Sequence, residues 1–358
     1  MKPDNQNILF SLLRSALWGD PFKDEVPGES FSQVIELAKE QTVVGLVFDV
    51  LKEVKNDSRQ NRTLIFRTIK LTERIKTQNL TINKELCSFS QKSEKAGLTY
   101  LVVKGQTLGR LYANPLLRSS GDIDFLVPDI SSNLSDVFPD VQFPKVMKEK
   151  ELDFKFNNIT YELHTRLTDF GCKKHQRFWE ELISQEWEKD FNVEIDGVKV
   201  RTMSPTMNAV YLFVHLYFHL IREGVSLRQF CDWAMMLHHY QNEIDRTHLC
   251  EILEQLDMIK GYKAFGCILV DELGLPEDEF PISLAEEDRR LKDKILEDIF
   301  QGGNFGKKNH KSKSAFGFKL ETLRMAVRNS MRYYRLAPSE MRMMIPKMIK
   351  INMKLLIN

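Results

Sequence analysis

The stretch LVVKGQTLGRLYANPLLRSSGDIDFLV, residues 101–127, holds two short apolar runs, a glycine turn between them and the only Asp-x-Asp of the chain. LTYLVV, residues 98–103, is short, apolar and rich in β-formers, which is the pattern of a buried strand. Lys104-Gly105 follows, and QTLGRLYA then reads as a helix that Pro115 ends. Gly121 opens the second run, DIDFLV, which Pro128 closes. Residues i and i+2 of a strand point to one face. Asp122 and Asp124 therefore project side by side, with Ile123 and Phe125 turned the other way. Two carboxylates on one face repel unless a cation lies between them. A hard divalent ion such as Mg²⁺ takes oxygen ligands and keeps positions open for phosphate oxygens. The spacing alone also suits a turn aspartate and a strand-edge charge. The strand–turn–helix upstream, Arg118 and a later YELH segment favour the metal site.

A phosphate site is expected beside that pair. A glycine at a strand-to-helix turn lets backbone N–H groups approach a phosphate, and a helix N-terminus favours the anion. Lys104 and Gly105 occupy that turn, and Thr107 offers a hydroxyl in the first helical turn. Arg118, Ser119 and Ser120, just ahead of the carboxylates, are further candidates for phosphate oxygens. A third carboxylate would complete a two-metal site. Glu162 in the strand ITYELHTRL is preferred, with Thr160 and His164 on its face. Asp153 on the neighbouring strand is the competitor. His164 is either a neighbour of the metal or acceptor, or a histidine at the strand end.

Outward from this segment the hydrophobic period changes twice. Residues 5–95 read as helices, with Ser32 as an N-cap before FSQVIELAKEQ and Gly97 as the C-cap of a long amphipathic helix. Asn157-Asn158 and Asp196-Gly197 sit between alternating segments as two-residue hairpin turns. Ser204-Pro205 starts a helix with proline at its first position. The expected fold class is α+β. A helical N-terminal region (1–95) precedes a core of short strands and helices (96–203), then a helical region (204–300), then a linker and basic helical tail (301–358). His215 and His219 are four apart in YLFVHLYFHL and read mainly as core histidines. Arg228 and Asp232 read as a helical i,i+4 ion pair, with base or acceptor recognition as the functional alternative. Trp233 reads as core. QGGNFG is either a loop over the site or a connector, and Pro346 should kink or end the last helix.

The net charge of +1 hides a split. From Lys307 onward there are thirteen lysines and arginines against two acids, leaving thirty-eight bases and forty-eight acids before it. Such a tail packs on the acidic body or meets an anionic partner, either a membrane surface or nucleic acid. The five cysteines are scattered with no CxxC, which argues against a disulfide framework or zinc ribbon and fits a reducing cytoplasm. No apolar run reaches about eighteen residues, so no transmembrane span is expected.

The KG turn, the LY of the following helix, Pro115, Arg118 and DIDFLV together resemble a bacterial, uncharacterised nucleotidyltransferase family within the DNA polymerase β-like superfamily. YELH and LRQFCDW downstream are similar to that family too. The resemblance spans roughly residues 30–240. It implies a polymerase β-like nucleotidyltransferase core, a small mixed sheet with helices. It implies an Mg²⁺-dependent transferase that moves an NMP from an NTP to an unknown hydroxyl acceptor, with two ions clamping triphosphate and acceptor. The acceptor could be a small molecule, a glycan intermediate, RNA or protein. Asp122, Asp124 and Glu162 match the metal ligands, Glu162 also taking the acceptor proton, and Gly105 matches the triphosphate turn. Lys104-Gly105-Gln106 departs from the superfamily's Gly-Ser or Gly-Gly, and Glu162 stands where Asp is common. KGQT followed by RSSGDIDF also resembles toxin nucleotidyltransferases that modify RNA or protein. A non-catalytic nucleotide- or anion-binding module acting through the basic tail is the alternative outside the enzymes.

Overall fold

The computed structural model describes residues 5–53, 62–130, 133–145, 147, 150–222, 224–302, 321, 324, 327–343 and 346. Four helices come first: α1 (Asn5–Trp18), α2 (Gly28–Glu40), α3 (Val44–Leu51) and α4 (Arg62–Ala96). Ser32 lies inside α2 and does not cap it. The helix starts earlier because the Pro27 carbonyl already accepts from the Ser30 and Phe31 N–H groups. Gly97 ends α4 as expected, at φ 64°, with the Leu98 N–H reaching back to the Ser93 carbonyl.

The core region follows as β1 (Leu101–Val102), α5 (Gln106–Gly109), β2 (Asp122–Leu126), α6 (Asn133–Val137), β3 (Glu151–Phe156), β4 (Ile159–His164), α7 (Lys173–Glu186), β5 (Asn192–Ile195) and β6 (Val198–Arg201). The two hairpins form at the expected turns. Asn157, Asn158, Asp196 and Gly197 all take positive φ, which makes both loops the left-handed turns that suit strand twist. The helix expected over QTLGRLYA shortens to the single turn of α5. Beyond it the Leu111 and Tyr112 N–H groups bond three residues back, to the Leu108 and Gly109 carbonyls, so the chain tightens out of the α-helix.

Four strands form one mixed sheet in the order β1-β2-β4-β3, and β5-β6 make a separate hairpin. β2 and β4 are parallel, with Asp122 opposite Thr160, Asp124 opposite Glu162 and Leu126 opposite His164. The other two contacts of the sheet are antiparallel. The period of two gives the sheet two chemically distinct faces. Ile123, Phe125 and Tyr161 face α4 and α6, where Phe89 lies 4.9 Å from Phe125 and Phe138 lies 5.0 Å from Tyr161. Burying a side chain such as Phe125 contributes about 1.5–3 kcal/mol, which fixes the register. Asp122, Asp124, Glu162 and His164 are left on the opposite face.

That polar face is roofed by α8 (Pro205–Arg222) and α9 (Leu227–Tyr240), followed by α10 (Arg246–Gln255), α11 (Ile259–Asp271) and α12 (Lys292–Gly302). α8 starts at Pro205 as expected, and Ser226 with Gln229 forms a capping box on α9. One apolar core joins α1–α3 to α8–α12. Tyr333, Leu336, Ala337 and Met341 of the tail belong to it, and Arg332 pairs with Asp298 at 2.8 Å. The described part of the tail is therefore packed on the body. The segment QGGNFG beyond Gly302 and residues 347–358 lie outside the described residues, as do both neighbours of Pro346. No described helix is long and apolar enough to cross a membrane.

Candidate active site

The loop ahead of β2 is held from two sides. On one side the Asn79 side chain of α4 donates to the carbonyls of Leu116 and Arg118, each at 2.8 Å. α3 presses against the same loop through Gly45, where a Cβ would stand 2.2 Å from the Leu117 carbonyl oxygen. On the other side the Arg118 guanidinium forms a two-pronged pair with Asp232 of α9, Nε to Oδ1 and Nη2 to Oδ2, both 2.7 Å. Tyr112 donates to the same carboxylate at 2.8 Å. Arg118 Nη1 donates to Ser120 Oγ at 2.7 Å, and Ser120 Oγ donates to Gln106 Oε1 at 2.8 Å. Arg118 is only 3% exposed, and its bonds to Asp232 and Ser120 tie the loop to α9. The i,i+4 pair of Arg228 with Asp232 is replaced by this longer-range one. Arg228 Nη1 instead donates to the Ser119 carbonyl at 2.8 Å.

A cavity of about 250 Å³ lies between the polar sheet face and α8–α9. Lys104, Gly105, Asp122, Asp124, Glu162 and His164 line it, and Arg118 and Ser120 reach its wall. Thr107 and Ser119 do not: the Thr107 hydroxyl donates to the Lys104 carbonyl at 2.7 Å. Asp153 pairs across from Glu162 but is exposed and lies off the cavity wall, so Glu162 is the one the fold brings inward. The turn has the form its glycine requires. Lys104 takes φ 61° and Gly105 φ 56° with ψ −127°, a combination that residues with a Cβ essentially never adopt.

The charges on the wall are tightly interlocked. Lys104 Nζ sits 3.0 Å from Asp124 Oδ1. His164 Nε2 lies between Asp124 Oδ1 at 3.3 Å and Glu162 Oε1 at 3.1 Å. One ligand atom from each of Asp124, Glu162 and His164 falls within 4.8 Å of the others. Burial alone would raise the Asp124 carboxyl, but the Lys104 ammonium and the His164 ring outweigh it and hold it well below the usual carboxylate range. Asp122 goes the other way. Burial first, and then the negative charge of Asp124, push it up to about 6. Burial opposes the charge on Lys104, yet Asp124, Tyr211 and Glu162 keep its ammonium ionised far above neutral pH. The bonds to Asp124 and Glu162 likewise raise His164 against its burial. Burial, then the neighbouring Arg118, lowers Arg228.

These are hard oxygen donors crowded on one wall, with one carboxylate already reluctant to ionise. That donor set fits a divalent cation, which would relieve the repulsion between Asp122 and Asp124. Sequence reasoning missed Tyr211, Lys150 and Arg222 as members of the site, while Asp232, offered with Arg228 as a recognition pair, lines it too. Arg222 had a signal: with His215 and His219 it makes a polar row at i, i+4 and i+7 on an otherwise apolar helix.

A small mixed sheet carrying paired carboxylates beside a Lys-Gly turn marks a nucleotide-handling transferase. The chain belongs to a family described as uncharacterised nucleotidyltransferases, whose model matches residues 27–265. Among solved structures it is similar to an antigenic nucleotidyltransferase-like protein from Paracoccidioides brasiliensis. That alignment has 14% identity and a TM-score of 0.31, and covers 58% of this chain and 95% of the other. No curated protein matches.

Proposed function

We propose that this protein transfers a nucleoside monophosphate from an NTP to a hydroxyl acceptor, with Mg²⁺ held by Asp122, Asp124 and Glu162. The observation that carries the reading is the convergence of Asp124, Glu162 and His164 within 4.8 Å beside the Lys104-Gly105 turn. Cations bound there would neutralise phosphate oxygens and lower the pKa of the acceptor hydroxyl.

The chain's own groups do the rest. His164 orients the Asp124 and Glu162 carboxylates through Nε2. The Gly105 turn brings backbone close to the triphosphate. Lys104, buried and charged, faces the negative charge that builds on departing pyrophosphate. Glu162 accepts the proton of the attacking hydroxyl. That oxygen forms a bond to the α-phosphorus as the bond to the bridging oxygen of pyrophosphate breaks.

The test is thermal unfolding with ATP, CTP, GTP and UTP, each with and without Mg²⁺, in wild type and in Asp122→Asn/Asp124→Asn. A nucleotide at about 100 times its dissociation constant adds roughly 2.7 kcal/mol to the folded state. An Mg²⁺-dependent upward shift with at least one NTP, lost in the double variant, is expected. A wild-type protein that melts cooperatively and responds to no NTP would refute the reading.

A further inference from the structure

The cavity has two ends, and the register of the sheet separates them. Asp122 stands opposite Thr160, and His164 stands four residues further along β4, about 13 Å at the usual strand rise. The Lys104-Gly105 turn belongs to the Asp122 end, since a Cβ on Gly105 would lie 3.8 Å from the Asp122 carbonyl oxygen. Arg228 and Ser120 also belong there, through the loop that precedes β2. Lys104 and Gly105 are the groups assigned above to the triphosphate.

The opposite end carries a second set of donors. In α8 every residue is buried except Thr206, His215, His219 and Arg222. The last three share one helical face, and all three line the cavity. The rings of His215 and His219 are 4.2 Å apart. Arg222 is fixed at the exit of β4. Its Nη2 donates to the Asp169 carbonyl at 3.0 Å, and its guanidinium lies 4.6 Å from the centre of the Phe218 ring. Lys150, whose carbonyl accepts from the Thr165 N–H, reaches the same end. Burial first, then the positive charges of Lys104, His219, Lys150 and His164, drive His215 well below the usual imidazole range. Glu151 also lines this end, paired with Lys150 and 3.8 Å from His164 Nδ1, so Arg222 and Lys150 face one carboxylate of their own here.

We propose that the His164 end of the cavity is the acceptor subsite, and that it takes a small hydroxyl compound bearing a phosphate group, held by His215, His219, Arg222 and Lys150. A phosphate dianion accepts from several donors at once, and a guanidinium with imidazoles and an ammonium matches it. Anchored there, the acceptor presents its hydroxyl toward Glu162 and Asp124. This assignment rests on the transfer reading above for its role, and on the α8 residues for its chemistry.

Calorimetric titration of the full chain with inorganic phosphate, glycerol 3-phosphate and glycerol tests it. Each would be run with and without saturating NTP and Mg²⁺, in wild type, His219→Ala and Arg222→Gln. Phosphate and glycerol 3-phosphate should bind in both conditions, and glycerol should not. Binding should weaken about tenfold or more in each variant, the scale of a lost charged hydrogen bond, with NTP binding kept. If Arg222→Gln does not fold, His219→Ala and the charge-keeping Arg222→Lys provide the comparison, the latter retaining most of the affinity. Three results overturn the proposal: no phosphate binding in wild type, unchanged affinity in the variants, or phosphate binding abolished by NTP. The last would mean these donors hold the nucleotide's own phosphates. Failure of the transfer reading looks different: wild type would bind no NTP, yet phosphate would still bind and be lost in the variants, which supports the anion site.

Discussion

Asp122→Asn should make the metal-free protein more stable while removing its function. An ordinary aspartate ionises near 3.8 and Asp122 near 6. The folded state therefore resists the negative charge at this position, and burial with the facing Asp124 charge is the cause. At about 1.36 kcal/mol per pH unit, the displacement corresponds to about 3 kcal/mol. The sign follows from linkage. A carboxyl with a raised folded pKa contributes full stability below pH 3.8 and loses it as pH rises through about 6. Above that, wild type bears the whole cost of the charge and the asparagine variant bears none. Urea unfolding in EDTA should show the variant more stable by about 3 kcal/mol at pH 7.5, with the gap closing toward pH 4. Asp124 is present in both proteins, so its own titration largely cancels in the difference. Added Mg²⁺ should stabilise wild type and leave the variant unmoved. A variant no more stable than wild type at pH 7.5 would refute the idea that Asp122 and Asp124 are held in unrelieved repulsion.

Two further outcomes follow from the geometry. Asp232→Ala leaves the Arg118 guanidinium buried without its partner and should cost about 3–5 kcal/mol, read by urea unfolding, whereas Arg118→Leu/Asp232→Leu should recover much of that loss; equal losses in both would show that the stranded charge is not the cause. Gly105→Ala forces a Cβ into a left-handed backbone at a cost of about 1–3 kcal/mol, and the NTP-dependent melting shift should disappear while far-ultraviolet circular dichroism stays unchanged.

Local chemistry made much of this fold readable in the sequence. The Asn157-Asn158 and Asp196-Gly197 turns, the Gly97 cap and the Pro205 helix start are set by residues next to one another. The common face of Asp122 and Asp124 follows from the strand period alone, and so does that of Glu162 and His164. What pairs β2 with β4 is not local. Their apolar residues meet only because both pack on Phe89 and Phe138. Arg118 shows the same limit. Its partner lies 114 positions away, and the neighbouring arginine, Arg228, looked like the better match for Asp232 by helical spacing. The row of His215, His219 and Arg222 was visible as a pattern. Its apolar surroundings pointed to the core, and only the cavity beside α8 shows that the row faces open space.

The Arg118–Asp232 tie also has a mechanical consequence. It bolts α9 to the loop that carries the carboxylate strand, and the Arg228 bond to Ser119 adds a second bolt close by. That end of the cleft is stiff, so α9 cannot lift without dragging the strand with it. At the far end Arg222 bonds to the Asp169 carbonyl and stacks on Phe218. The cleft is thus pinned at its Asp122 end by two side-chain ties from α9.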